Sequence, residues 1–229
     1  SLRSMTNYLK RWGFTCQRPT KKAYAQDDVK VDRFMKEEYP TIAKRALAEK
    51  AEIYWGDETG VSNQEYYQRG FSPRGVTPVM RVESKQERIN MISAITGRGS
   101  LRFMIYEGTM NQQRLIEFMK RLIKDVVRKV YLILDNLKVH HGKMVAAWLE
   151  KNKDRIEVFF IPPYSPELNP DEYLNHVLKK DVHAGIRPRS KTDLHHKTES
   201  FLRRMQRNGE KVRKLFHHPK LAYIRACAS

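Results

Sequence analysis

Residues 130–172 constrain this chain more than any other stretch. An apolar run, VYLIL, ends on Asp135; a helix-length polar segment follows, and a second apolar run, IEVFFI, leads into PPYSPELNPDEYL. Two short runs rich in β-branched and aromatic residues, joined through a helix, form a parallel strand pair with a right-handed crossover, because parallel strands cannot be linked by a tight turn. The first strand delivers Asp135 to the edge of the sheet. The proline-studded loop delivers Glu172 to the start of a helix, so two carboxylates are aimed at one site. A third acid, Asp57, lies far upstream in IYWGDETG, again directly after a strand-like run.

The remaining chain supports these three acids. Leu2, Met5, Tyr8, Leu9 and Trp12 recur at helical spacing, with Gly13 placed to stop the helix. This basic amphipathic helix reads either as the last helix of a helix-turn-helix or as a helix packed on the main domain. The opening, SLRSM, has no apolar signal core and enters mid-helix, the pattern expected of a fragment. A basic linker, RPTKK, follows at 18–22. Residues 27–50 read as two helices, the first started by Asp27 and Asp28 and the second by Pro40. A strand over 51–55 ends at Gly56-Asp57, and 66–71 reads as another. Runs at 88–96 and 101–106 flank the hairpin composition GRGS, giving antiparallel strands in succession. Asn111 caps a helix whose apolar face is Leu115, Phe118, Met119, Leu122, Ile123 and Val126, and a further helix covers about 143–152. From Ser190 onward, two or three short helices dense in Lys, Arg and His are expected.

Charge narrows the partner. The chain of 229 residues carries 44 Lys+Arg against 26 Asp+Glu, a net +18, which favours an anionic partner, nucleic acid before membrane. No run reaches the roughly 18 apolar residues that span a bilayer. Cys16 and Cys227 stand near opposite ends without CxxC spacing, and the His195-His196 and His217-His218 doublets lack Cys partners, so neither a disulfide framework nor a zinc site is suggested. The basic residues expected to meet DNA phosphates are Arg3, Lys10, Arg11, Arg18, Lys21 and Lys22 in the lead-in. Arg69, Arg74 and Lys138 are the candidates nearer the acids.

The motifs Asp57-Glu58-Thr59-Gly60, RGFSPRG at 69–75, Asp135-Asn136 with His140 four residues on, and PPYSPELNPDEYL at 162–174 resemble the DDE transposases of the mariner superfamily, specifically the bacterial insertion-sequence branch. The resemblance covers about residues 50–180 and extends weakly to the first helix. It implies an α/β, ribonuclease H-like fold: a mixed sheet with helices on both faces, plus helical N- and C-terminal extensions. It divides the chain into a remnant DNA-binding helix and linker (1–22), a helical lead-in (23–50), the catalytic domain (51–185) and a basic helical extension (186–229). Asp57, Asp135 and Glu172 fall on the family's catalytic, metal-holding acids, the last two 37 positions apart, with Asn136 and His140 as accessories. Implied with them are Mg²⁺, replaceable by Mn²⁺ and present as two ions, a double-stranded DNA substrate comprising element ends and target, and a homodimer on DNA. A bacterial, cytoplasmic and nucleoid-associated location is implied as well. Where family members usually carry an aromatic residue after the glutamate, this chain has Asn175.

The chemistry of phosphodiester cleavage asks for the same residue types. In-line displacement needs charge stabilisation at both the attacking and leaving oxygens, which two divalent cations about 4 Å apart supply when carboxylates hold them. Simpler roles compete at each position. Asp57 before Glu-Thr-Gly suits a turn, Asp135-Asn136 can start one, and Asn169, Pro170 and Glu172 compose a capping box. Asp171 and Glu167 rival Glu172. Three functions are compatible with these residues: a transposase, a structure-selective nuclease on the same fold, and a DNA-binding protein that keeps the acids only for capping and turns.

Overall fold

A computed structural model describes residues 2–15, 23–64, 72–77, 79, 84–124, 126–137 and 141–227. The described strands form one sheet: β1 (Glu52–Ser62), β2 (Arg88–Ile95), β3 (Leu101–Tyr106), β4 (Val130–Leu134) and β5 (Ile156–Phe160), in the order β3-β2-β1-β4-β5. The β1–β2 and β2–β3 pairs are antiparallel, whereas β4 runs parallel to both β1 and β5. This is the mixed sheet of the ribonuclease H-like expectation. The strand segment proposed for 66–71 lies outside the described residues, as do Arg18, Lys21, Lys22, Arg69, Lys138, His140 and the side chain of Arg3.

Alternation along the strands divides the core into two layers. Tyr54, Ile92, Leu132 and Leu134 face one way and pack on α4 (Gln112–Lys124) and α5 (Lys143–Lys151). Trp55, Met91, Tyr131 and Ile133 face the other way. They pack on α3 (Tyr39–Ala48), α6 (Pro170–Val182), α7 (Lys191–Arg207), α8 (Gly209–Leu215) and α9 (Ala222–Ala226). All five residues of β4 are buried, which is why its sequence is continuously apolar rather than alternating. Asn111 caps α4 as expected, accepting from the Arg114 amide at 2.9 Å.

Three sequence expectations change. Asp27 does cap α2 (Asp28–Arg33), but no break separates it from α3: residues Phe34–Glu38 form a π-type turn that carries the helix into Pro40. A proline cannot donate to the preceding turn, and widening that turn accommodates the lost bond without ending the helix. The C-terminal segment, expected as short helices, contains the 17-residue α7, capped by Ser190. The first helix, α1 (Leu2–Arg11), closes at Gly13 in the left-handed region (φ 82°), yet Met5, Tyr8, Leu9 and Trp12 on its apolar side are exposed, against the reading of a helix packed on the main domain. Among the described residues no helix is long and apolar enough to cross a membrane.

Candidate active site

β1 does not end at Gly56-Asp57. It continues to Ser62 because β2 pairs with it from Trp55 through Ser62, so Asp57 is a mid-strand residue opposite Ser93. On the other side, β4 pairs with β1 only from Glu52 to Trp55. Beyond Trp55, β1 therefore has a neighbour on one edge and an opening on the other. Asp135 stands two residues past Ile133 as Asp57 stands two past its partner Trp55, so both acids fall on the same face at the mouth of that opening and line one cleft.

Helix α6 covers that face. Asn169 is its N-cap: the side-chain oxygen accepts from the Asp171 amide at 3.0 Å, while Nδ2 donates to the Gly56 carbonyl at 2.9 Å. A second asparagine, Asn175, donates from Nδ2 to Asp57 Oδ2 at 2.6 Å. At the far end, the His183 ring spans the carbonyls of Lys179 and Ser62, each at 2.7 Å. The helix is thus tied to β1 at Gly56, Asp57 and Ser62. Glu172 lies midway between the two asparagines, three residues from each, and neighbours at that spacing share a helix face.

Asp57, Asp135, Asn136, Asn169 and Glu172 line one cleft of about 320 Å³, walled by the loop Ile161–Pro166. The capping-box alternative for Glu172 falls away here. The Asn169 amide, which a capping glutamate would accept from, donates instead to the Pro166 carbonyl at 3.0 Å. Neither rival lines the cleft. Asp171 is wholly buried and accepts from Ser93 Oγ at 2.6 Å, and Glu167 accepts from Gln26 Nε2 at 2.6 Å. Of the histidine pair, His141 reaches Asn136 Oδ1 at 2.5 Å and rests on the Phe160 ring.

The electrostatics follow from burial. Asp57 is only 8 % exposed. Burial, reinforced by the negative charges of Glu172, Asp171 and Asp135, pushes its carboxyl well above the usual carboxylate range. Burial also raises Glu172, partly offset by His176 and Lys179. Asp171 is raised by burial against the opposing hydrogen bond from Ser93. Several acids are therefore held close together where ionising all of them is costly.

Asn169, Asp171 and Asn175 are the contributors that motif reading left out of the site. Their signal was present in the sequence as polar residues flanking Glu172 on the inward face of a helix that is otherwise apolar there.

Comparison with known proteins accords with this geometry. The family model described as DDE superfamily endonuclease matches residues 52–195, and a winged helix-turn helix model matches residues 1–38. No curated protein matches the chain in sequence. Among solved structures, the mariner Mos1 paired end complex with Mg superposes with a TM-score of 0.73 at 17% identity, covering 100% of this chain and 70% of that one. The Mos1 mariner paired end complex with Mn gives 0.72 at 18% identity, with the same 100% and 70% coverage. The catalytic domain of Mos1 mariner transposase gives 0.57 at 17% identity, covering 90% of this chain and 97% of that one. The sheet order, the cleft between β1, β4 and α6, and a family match spanning more than half of its length place this chain in the DDE superfamily endonuclease family.

Proposed function

We propose that the chain is a DNA transposase whose catalytic carboxylates are Asp57, Asp135 and Glu172. The observation that carries this reading is the convergence of those three acids, from β1, the end of β4 and the first turn of α6, on one cleft. In the first reaction, water attacks a phosphodiester at the end of a mobile element. The P–O3′ bond breaks, leaving a 3′-hydroxyl and a 5′-phosphate. In the second, that 3′-hydroxyl attacks a phosphodiester of target DNA, displacing another 3′-hydroxyl.

The donor set fits divalent cations. Asp57, raised by burial and by the neighbouring acids, and Glu172, raised by burial, gain most from a cation, and oxygen ligands suit Mg²⁺ and Mn²⁺. Among the described residues no group of three or more His, Cys, Asp or Glu side chains is already gathered as a metal ion would require. Mg²⁺ sites use a few carboxylates completed by water and substrate phosphate. Asp57, Asp135 and Glu172 are the residues that would hold two such ions, and the chemistry supplied when they are bound is charge stabilisation at the attacking and leaving oxygens. The chain's own contribution is positional. Asn175 orients Asp57, Asn169 fixes the start of α6 against β1, and Asn136, next to Asp135, is held by a hydrogen bond with the His141 ring nitrogen. The positive end of the α6 dipole, three turns long, favours anionic groups in the cleft.

Double-stranded DNA is the proposed substrate, and the charge distribution supports it. Residues 186–229 hold 12 Lys and Arg against 3 Asp and Glu, half of the chain's net charge. Arg102, Arg121, Lys124 and Arg203 line a second cleft, between β3, α4 and α7. Such surfaces bind phosphate without reading sequence. The Mos1 paired end complexes, whose fold this chain shares, suggest that it too brings two DNA ends together; a homodimer acting at the bacterial nucleoid belongs to the same proposal.

The test substitutes Asp135→Asn and measures Mg²⁺-dependent cleavage alongside DNA affinity. Loss of several kcal/mol of charge stabilisation corresponds to roughly 10²–10³-fold or more in rate. Cleavage should fall by that amount while DNA affinity holds. Unchanged cleavage would remove Asp135 from the site, and joining of cleaved ends to target DNA separates a transposase from a nuclease.

A further inference from the structure

We propose that Asn175 is a positioning residue that fixes the Asp57 carboxylate for divalent-cation binding. This inference rests on the reading of Asp57 as a metal-holding acid. Asn175 is 2 % exposed, and its Nδ2 lies 2.6 Å from Asp57 Oδ2. Here the amide nitrogen faces the carboxyl. Once Asp57 is ionised to hold a cation, the opposite orientation would set the amide oxygen against a carboxylate oxygen, two acceptors in contact.

The remaining half of the side chain argues for a role beyond packing. Asn175 Oδ1 is buried with no hydrogen-bond partner. A buried, unsatisfied acceptor is costly, and an apolar residue at this point of α6 would avoid that cost. The residue before it, Leu174, and the one a turn later, Leu178, are apolar core residues, while the turn before it carries Asp171 and Glu172 on the side that faces Asp57. What the amide contributes is its N–H, aimed at Asp57.

That N–H engages Oδ2, and together with a backbone hydrogen bond from Glu58 it restrains the carboxylate to one rotamer at the cleft. The arrangement matches a general feature of metal sites, in which a carboxylate ligand is itself hydrogen-bonded and loss of the outer partner weakens the ion by about 10- to 100-fold. Asn169 and Asn175 differ in this respect. Asn169 holds the backbone at Gly56 and fixes where the helix starts, whereas Asn175 holds the side chain of the acid itself.

The experiment is calorimetric titration of the full chain with Mn²⁺ alone, without DNA, for the parent, Asn175→Ala and Asp57→Asn, with melting temperature and DNA affinity in EDTA measured in parallel. Deleting the Asn175 amide removes one unsatisfied acceptor while freeing another at Asp57, so the melting temperature should move little. DNA affinity in EDTA should not move at all. Mn²⁺ binding should weaken about 10- to 100-fold in Asn175→Ala and vanish in Asp57→Asn. Parental Mn²⁺ affinity in Asn175→Ala, with binding lost in Asp57→Asn, would leave the metal site standing and overturn the positioning role. Parental affinity in Asp57→Asn would instead overturn the reading of the site. Should the alanine variant fail to fold, Asn175→Ser, which retains a polar group but not the reach, carries the same expectation.

Discussion

Replacing Asp57 with Asn should stabilise the metal-free protein. Asp57 is a buried carboxyl whose ionisation is opposed first by burial and then by Glu172, Asp171 and Asp135. Its pKa in the folded chain is raised, so the folded state holds a proton that the unfolded state releases above about pH 4. Stability therefore falls as pH rises from there toward the folded-state pKa, because the folded state is the one binding more protons. Asparagine keeps the shape, accepts from Asn175 Nδ2 and offers an N–H to the neighbouring acids. Relief of such functional-site strain gives about 0.5–2 kcal/mol, and a chain of this size gains about 2–4 °C in melting temperature per kcal/mol. Thermal unfolding in EDTA should show Asp57→Asn ahead by roughly 1–8 °C at pH 7 and level with the parent near pH 4. Saturating Mn²⁺ should then reverse the order, since a ligand at 100 times its Kd adds about 2.7 kcal/mol to a parent that binds it. A less stable Asp57→Asn at pH 7 in EDTA would refute the electrostatic reasoning, because it would mean that ionised Asp57 is stabilised where it stands.

Two further substitutions probe how the site is held. Asn169→Ala removes the α6 cap and the donor to the Gly56 carbonyl, so urea unfolding should show a loss of about 2–3 kcal/mol, with cleavage falling alongside as Glu172 loses its register. Gly56→Ala would place a Cβ 2.9 Å from Leu134 Cδ2 and 3.0 Å from the Ser93 carbonyl; denaturant unfolding should show about 1–3 kcal/mol of overpacking, because the Ser93 backbone cannot retreat from its own strand pair.

The strands and the acids were legible in the sequence for different reasons. β4 could be read because five buried residues in succession leave an unbroken apolar run, and Asp135 stood out as the acid that ends it. The end of β1 was misread because Glu58, Thr59 and Gly60 look like a turn, and only pairing with β2, a contact thirty or more residues away in sequence, makes them strand. The π-type turn before Pro40 was hidden for a similar reason: a proline announces a disruption and not which of two remedies the chain adopts. At Glu172, local pattern favoured a capping box, and what excluded it was the Pro166 carbonyl taking the Asn169 amide first. Asn175 was visible as a departure from the aromatic residue expected there. Its purpose depended on which strand residue α6 faces, and helical periodicity alone does not contain that.

The central claim is that Asp57, Asp135 and Glu172 together hold the divalent cations that support phosphodiester cleavage. Its most direct test is anomalous diffraction at the manganese edge from crystals of the full chain equilibrated with Mn²⁺. The account predicts Mn²⁺ in the cleft, ligated by Asp57 and shared with Asp135 or Glu172. A protein that cleaves DNA in Mn²⁺ while its crystals bind the ion elsewhere, with Asp57 unligated, would contradict it.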